Sequence, residues 1–99
     1  MAKAKATETK TVKMGRELRV ATAGAAFIAL RKAASGSESR VVLDAGQVEK
    51  IDAAGLQALL AGRAVLTRAG KAVTWAGCSP QLSAAAALLG LGESLELPK

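Results

Sequence analysis

The chain of 99 residues has no histidine and no tyrosine, and it carries a single cysteine, Phe27, Trp75 and two prolines. Each shortage removes a class of function. Without His, the commonest general base is missing. With Cys78 alone, neither an internal disulfide nor a Cys/His zinc site can be assembled. Two aromatics leave no stacking platform for sugars or single-stranded nucleic acid. No run approaches the roughly 18 apolar residues of a membrane-spanning helix, and the polar, Lys-bearing start MAKAKATETK has no apolar stretch behind it that fits a secretory signal. The glycines form neither G-x-x-x-x-G-K-[ST] nor G-x-G-x-x-G, so no phosphate loop is encoded. The expectations are a reducing, cytoplasmic setting, no cofactor, no metal and no enzyme activity.

What is present is Ala, Leu and Val in a length suited to one domain with one core. The net charge of +6 is uneven. Residues 1–19 hold six Lys/Arg against Glu8 and Glu17, while the other 80 hold eight against six. The basic character is therefore mostly a leader. Residues 1–10 are expected to fray as a solvated terminus. A nucleic-acid arm is the weaker reading, because the leader has no aromatic and no Arg cluster.

The organising stretch is Ser39–Leu60, SRVVLDAGQVEKIDAAGLQALL. Val41-Val42-Leu43 has the pattern of a strand buried on both faces. Asp44-Ala-Gly-Gln breaks it, and Val48 to Ile51 is a second short apolar approach. Asp52 then stands where a helix begins, placed to accept from free N–H groups of the first turn and to meet the positive end of the helix dipole. Before this stretch, Thr11–Val20 reads as a short hairpin or a bent edge strand. Ala21–Ala34 reads as a helix capped by Thr22, with Phe27, Leu30 and Ala34 on one face, ended by Gly36. Ala53–Ala69 is the second helix. Leu56, Leu59, Leu60 and Leu66 share one face, Ala58, Ala61, Gly62 and Val65 the opposite one, and Gln57, Ala64 and Arg68 a narrow polar stripe. Arg63 falls among the leucines, and its head is expected to reach water over its own apolar stem. Lys71–Ala76 is a strand with Val73 and Trp75 on one face. Ser79-Pro80 starts a helix with Leu82, Ala85, Ala86 and Leu89 inward, stopped by Gly90 and Gly92. Leu95 and Leu97 suggest a final short strand or extended tail.

The central stretch resembles the signature of the STAS family, the anti-sigma-factor-antagonist fold. In that signature a buried strand ends in Asp, and a short segment leads to D-[S/T]-[S/A/T]-G-L at a helix start. The resemblance extends loosely from Val12 to Leu97. It implies an α/β fold: a single small STAS-like domain over residues 11–99, with a four- to five-stranded mixed sheet and three to four helices. It also implies a non-enzymatic protein–protein interaction module. The partner-facing positions would be Asp52, Ala53, Ala54, Gly55, Leu56 and Gln57. In signalling members the residue after the helix-opening Asp is a phosphorylated Ser or Thr; here it is Ala53, so the phosphate switch is absent. The partner implied is a signalling kinase or anti-sigma factor, and D-A-A-G-L-Q with Trp75-Ala-Gly-Cys-Ser-Pro80 is similar to short STAS proteins of chemotaxis systems. The alternative is the STAS subunit of an ABC-type membrane lipid transporter, docked on its ATPase. A monomer or weak homodimer is expected. Compared with the two N-terminal strands usual in the family, Thr11–Val20 is short enough that a strand is missing or exchanged.

Asp44 and Asp52, eight residues apart, could meet at one end of the sheet, but turn and capping roles account for both. Cys78 precedes a helix start, where thiols become acidic; without His or a second Cys, a small buried core residue is the simpler reading.

Overall fold

The computed structural model describes residues 8–98. Five strands and four helices alternate along it: β1 Thr9–Lys13, β2 Glu17–Leu18, α1 Val20–Ala34, β3 Arg40–Ala45, β4 Lys50–Ile51, α2 Ala53–Arg68, β5 Ala72–Cys78, α3 Pro80–Leu88 and α4 Gly92–Leu95. The α/β architecture and the element numbers are those expected. All described ladders are parallel: β1–β3–β5 form one sheet and β2–β4 a short second one. The antiparallel pairing of a mixed sheet is not among the described residues. The reason is connectivity, since α1 links β1 to β3 and α2 links β3 to β5, as parallel crossovers require.

The hairpin reading of Thr11–Val20 is replaced by the bent strand. Gly15, at φ +77, takes the left-handed backbone that turns the chain from β1 into β2. Each half then pairs with a different strand. β1 begins at Thr9, so Thr9 and Lys10 of the expected leader are in the sheet. The Glu8 carbonyl accepts from the Arg40 N–H just before the strand, and residues 1–7, including Lys3 and Lys5, lie outside the described residues.

Right-handed crossovers that step twice in the same direction put α1 and α2 on the same face of the sheet, and the two helices pack against each other. Burial follows. Val41, Leu43 and Ala45 are buried under the helices, whereas Thr9, Thr11, Lys13, Arg40, Thr74 and Ala76 on the other face are exposed. The central strand is therefore buried on one face, not two, and Val42 is only half-buried. A bulge in β5 between the partners of Leu43 and Asp44 leaves Ala76 unmatched. Trp75 and Cys78, three residues apart, consequently both pack against the core.

α2 buries Gly55, Leu56, Leu59, Gly62 and Leu66. At 100° per residue these occupy one arc, with Gly62 beside the leucines rather than opposite them. Leu60, Ala58 and Val65 are half-buried and Ala61 is exposed, so the helix is apolar on one broad side only. Gly62 is where α1 crosses: a Cβ there would stand 2.8 Å from the Leu30 Cβ. Arg63 falls inside the buried arc, between Leu59 and Leu56. Its side chain is 12% exposed and its guanidinium meets Glu96 at 2.7 Å. Its Nε is buried with no hydrogen-bond partner. The expected escape to water does not occur, because α4 and the segment after it close over the helix there.

That segment corrects a second expectation. Gly92–Leu95 is a helical turn, not a strand, and Leu95 is fully buried. The Trp75 indole N–H donates to the Leu95 carbonyl at 3.0 Å. Glu96, at φ 54, ends the turn in a left-handed conformation. Ser79 and Pro80 open α3 as read, with the Ser79 hydroxyl accepting from Leu82 N–H at 3.1 Å. Leu82 and Ala86 face inward, but the helix stops at Leu88 and Leu89 remains half exposed. Gly62→Ala is expected to cost about 1–3 kcal/mol through overpacking, read as a lower urea midpoint at unchanged m-value. The same change at the open Gly24, where a Cβ meets nothing within 4 Å, should not destabilise.

Candidate functional site

Asp52 is the residue on which two helices start. Its Oδ1 accepts from the Gly55 N–H at 2.9 Å, the N-cap bond of α2. Its Oδ2 accepts from the Val20 N–H at 3.0 Å, at the first residue of α1. One carboxylate thus satisfies orphan donors at two helix N-termini and faces the positive ends of both dipoles. Its own backbone N–H donates to the Leu18 carbonyl at 3.1 Å, tying β4 to β2. These bonds hold the Asp52 carboxyl below its ordinary value of 3.8. The Gly55 N–H contributes most, then the Val20 N–H; burial opposes them, and the Ala54 N–H and the Arg19 charge add less.

Around this carboxylate the chain is drawn tight. A Cβ on Gly55 would overlap the Leu18 carbonyl, so only glycine lets α2 start against β2. Leu18 and Leu56 are fully buried. At the start of α1, Thr22 is not the N-cap. Arg19 holds that position, and the Thr22 hydroxyl accepts from the Arg19 N–H and donates to the Glu17 carbonyl, both at 3.0 Å.

The six residues read from the motif divide by burial. Gly55 and Leu56 are interior and have no surface to offer. Asp52 and Ala54 are half-buried, and Ala53 and Gln57 are exposed. Sequence reasoning missed Val20. It opens α1 beside Asp52 and is 74% exposed. The Asp52–Val20 bond, between residues 32 apart in the chain, and the pairing of β2 with β4 just before it bring it to Ala53. The tip is a small apolar surface of Val20, Ala21 and Ala53 edged by Gln57, over two converging helix N-termini.

The other candidate groups have structural partners. Asp44 Oδ1 accepts from the Gly46 N–H at 3.1 Å and shapes the turn after β3. Cys78 is half-buried rather than interior, with Sγ 3.7 Å from the Ser79 carbonyl and 3.8 Å from the Ser83 hydroxyl. Among the described residues no three acidic or cysteine side chains gather as metal ligands. No described helix is long and apolar enough to cross a membrane.

A family model described as "Mlab, STAS domain" matches residues 1–98. The chain belongs to the STAS domain family. Two solved structures share the STAS fold with it. One is a sulfate transporter family protein from Wolinella succinogenes, at TM-score 0.73 and 18% identity, covering 96% of this chain and 79% of that one. The other is the anti-sigma factor antagonist SpoIIAA in its unphosphorylated form, at TM-score 0.68 and 17% identity, covering 87% and 76%. No curated protein sequence matches the chain.

Asp52→Ala should lower the melting temperature by several degrees, because two helices lose a cap at once; Asp44→Ala should lower it less. The pH dependence has a definite sign. The folded carboxyl is more acidic than the unfolded one, so its contribution is complete above 3.8 and is lost as pH falls through the lowered folded value. Asp52→Asn should remove that part of the acid-unfolding curve while leaving stability between pH 5 and 8 flat.

Proposed function

We propose that this STAS domain is a non-enzymatic docking module of the anti-sigma-antagonist type, and that the partner sits on the Val20–Ala53–Gln57 tip. The single observation supporting this is the exposed apolar tip itself, held rigid by Asp52 where both helices begin. A surface of valine and alanines over fixed backbone lets a partner backbone approach closely, and desolvating it costs little. The partner is a signalling kinase or an anti-sigma factor, in a chemotaxis-type system.

Ala53 at the first position of α2 gives the domain its regulatory character. A phosphate there would add about two negative charges and considerable bulk. Alanine has no oxygen to receive it. Docking is therefore constitutive, and control lies in the partner or in the abundance of this chain.

A second reading makes the domain the STAS subunit of an ABC-type membrane lipid transporter, with the tip docked on its ATPase; the match to a family model described as "Mlab, STAS domain" is what favours it. Affinity capture from native lysate separates the two. Tagged wild type should retain one kinase-like or anti-sigma protein, and Ala53→Glu should weaken that capture at least tenfold. Arg68→Glu, at the far end of α2, should not. Recovery of an ATPase with its permease would move the assignment to the transporter reading. Equal capture of the same partner by wild type and Ala53→Glu would falsify the tip as the docking surface.

A further inference from the structure

Strand β1 is the outer strand of the three-stranded sheet, and its far side has no strand beside it among the described residues. The parity of its hydrogen bonds is fixed at both ends. Arg40 N–H donates to the Glu8 carbonyl at 3.3 Å, and Met14 N–H donates to the Asp44 carbonyl at 2.9 Å. In a parallel ladder alternate residues of a strand serve one neighbour. Glu8, Lys10, Val12 and Met14 therefore serve β3, and the N–H and C=O groups of Thr9, Thr11 and Lys13 point away from the sheet.

Alongside this edge runs a trough. Two cavities of about 460 and 470 Å³ lie between β1 and α1 and share Lys13 and Ala29 in their walls. Ala25, Ala26 and Ala29 of α1 line it with short side chains. The trough has the makings of a strand site: unpaired backbone groups along one wall and room on an alanine floor for every second side chain. Its charge is mainly positive. Lys10, Lys13 and Lys32 line it and make no ion pair among the described residues; against them stand Glu38 at one end and Glu17, which is already held by Arg19 at 3.0 Å.

We propose that the β1 edge accepts an acidic extended segment of a partner protein as an added strand, with small or β-branched residues on the alanine floor and carboxylates on the opposite face beside Lys13, while Lys10 and Lys32 add positive charge along the floor side. The charges favour this occupant over two others. Pairing β1 with β1 of a second copy would gather four lysines, two from each strand, along one short edge, which disfavours the pair. The chain's own residues 1–7 contain Lys3 and Lys5 and no carboxylate. This surface is separate from the helix tip, and the test below does not depend on the tip reading.

The test is amide hydrogen exchange by NMR on the full 99-residue chain. One probe is an eight-residue peptide alternating valine and glutamate; the other is its valine–lysine counterpart. The glutamate peptide at saturation should slow the Thr9, Thr11 and Lys13 amides at least tenfold, and the lysine peptide should not. The double variant Lys10→Glu with Lys13→Glu should reverse that preference, with the Val41 and Leu43 amides still slow as evidence that the sheet is intact. Three results overturn the proposal. The edge amides are already slow in the dilute free chain, so its own residues cover them; they slow only as protein concentration rises, so a second copy does; or neither peptide protects them at millimolar concentration.

Discussion

The carboxylate of Asp52 is the constraint from which the rest of the domain follows. One oxygen starts α2 and the other starts α1, while the backbone N–H of the same residue joins β4 to β2. Two helix dipoles converge on a single negative charge. Each dipole alone would be weakly felt at the surface. Sharing one acceptor fixes the relative position of the helices, and with it the contact of Gly55 with Leu18 and of Gly62 with Leu30. Both contacts require glycine, so the geometry set by one polar residue is kept by two residues with no side chain.

The rest of the core is built for closeness rather than bulk. A parallel sheet covered by helices on one face has only half the interior of a doubly covered one. The chain meets this with leucines on α1, α2 and α3 pressed onto Val41, Leu43 and Ala45. The price of a broad buried arc on α2 is Arg63, which cannot leave it. α4 answers by delivering Glu96 to the guanidinium and the Leu95 carbonyl to Trp75. The pair is weak evidence for net stability, since Glu96 is 68% exposed and the desolvation of Arg63 opposes the Coulomb gain. Its clearer effect is positional, because it fastens the segment around Glu96 to the helix layer.

The polar groups of this domain near the sheet are engaged within the fold. Its two carboxylates next to the central strand are occupied by backbone donors, and its thiol lies against Ser79 and Ser83. What it presents is a flat apolar tip at one end and a basic strand edge along one side. As proposed docking surfaces they differ in chemistry: the tip offers close shape contact, and the edge offers hydrogen bonding to an acidic strand.

The sequence by itself determined the order of the main elements from α1 to α3, the helix starts at Asp52 and Ser79-Pro80, and the family, because those depend on local hydrogen bonding and on residue types at fixed spacing. It also determined that Ala53 has no hydroxyl. Tertiary structure decided the rest. Whether β3 is covered on one face or two depends on which side each crossover takes, and a run of three apolar residues is the same in either case. Whether Arg63 reaches water depends on a segment more than thirty residues later. Helix geometry alone puts Gly62 beside the leucines, but only the packing decided that α1 crosses there with Leu30 against it. Val20 joined the candidate site through one bond to Asp52, and no local pattern encodes a cap shared between helices so far apart in the chain.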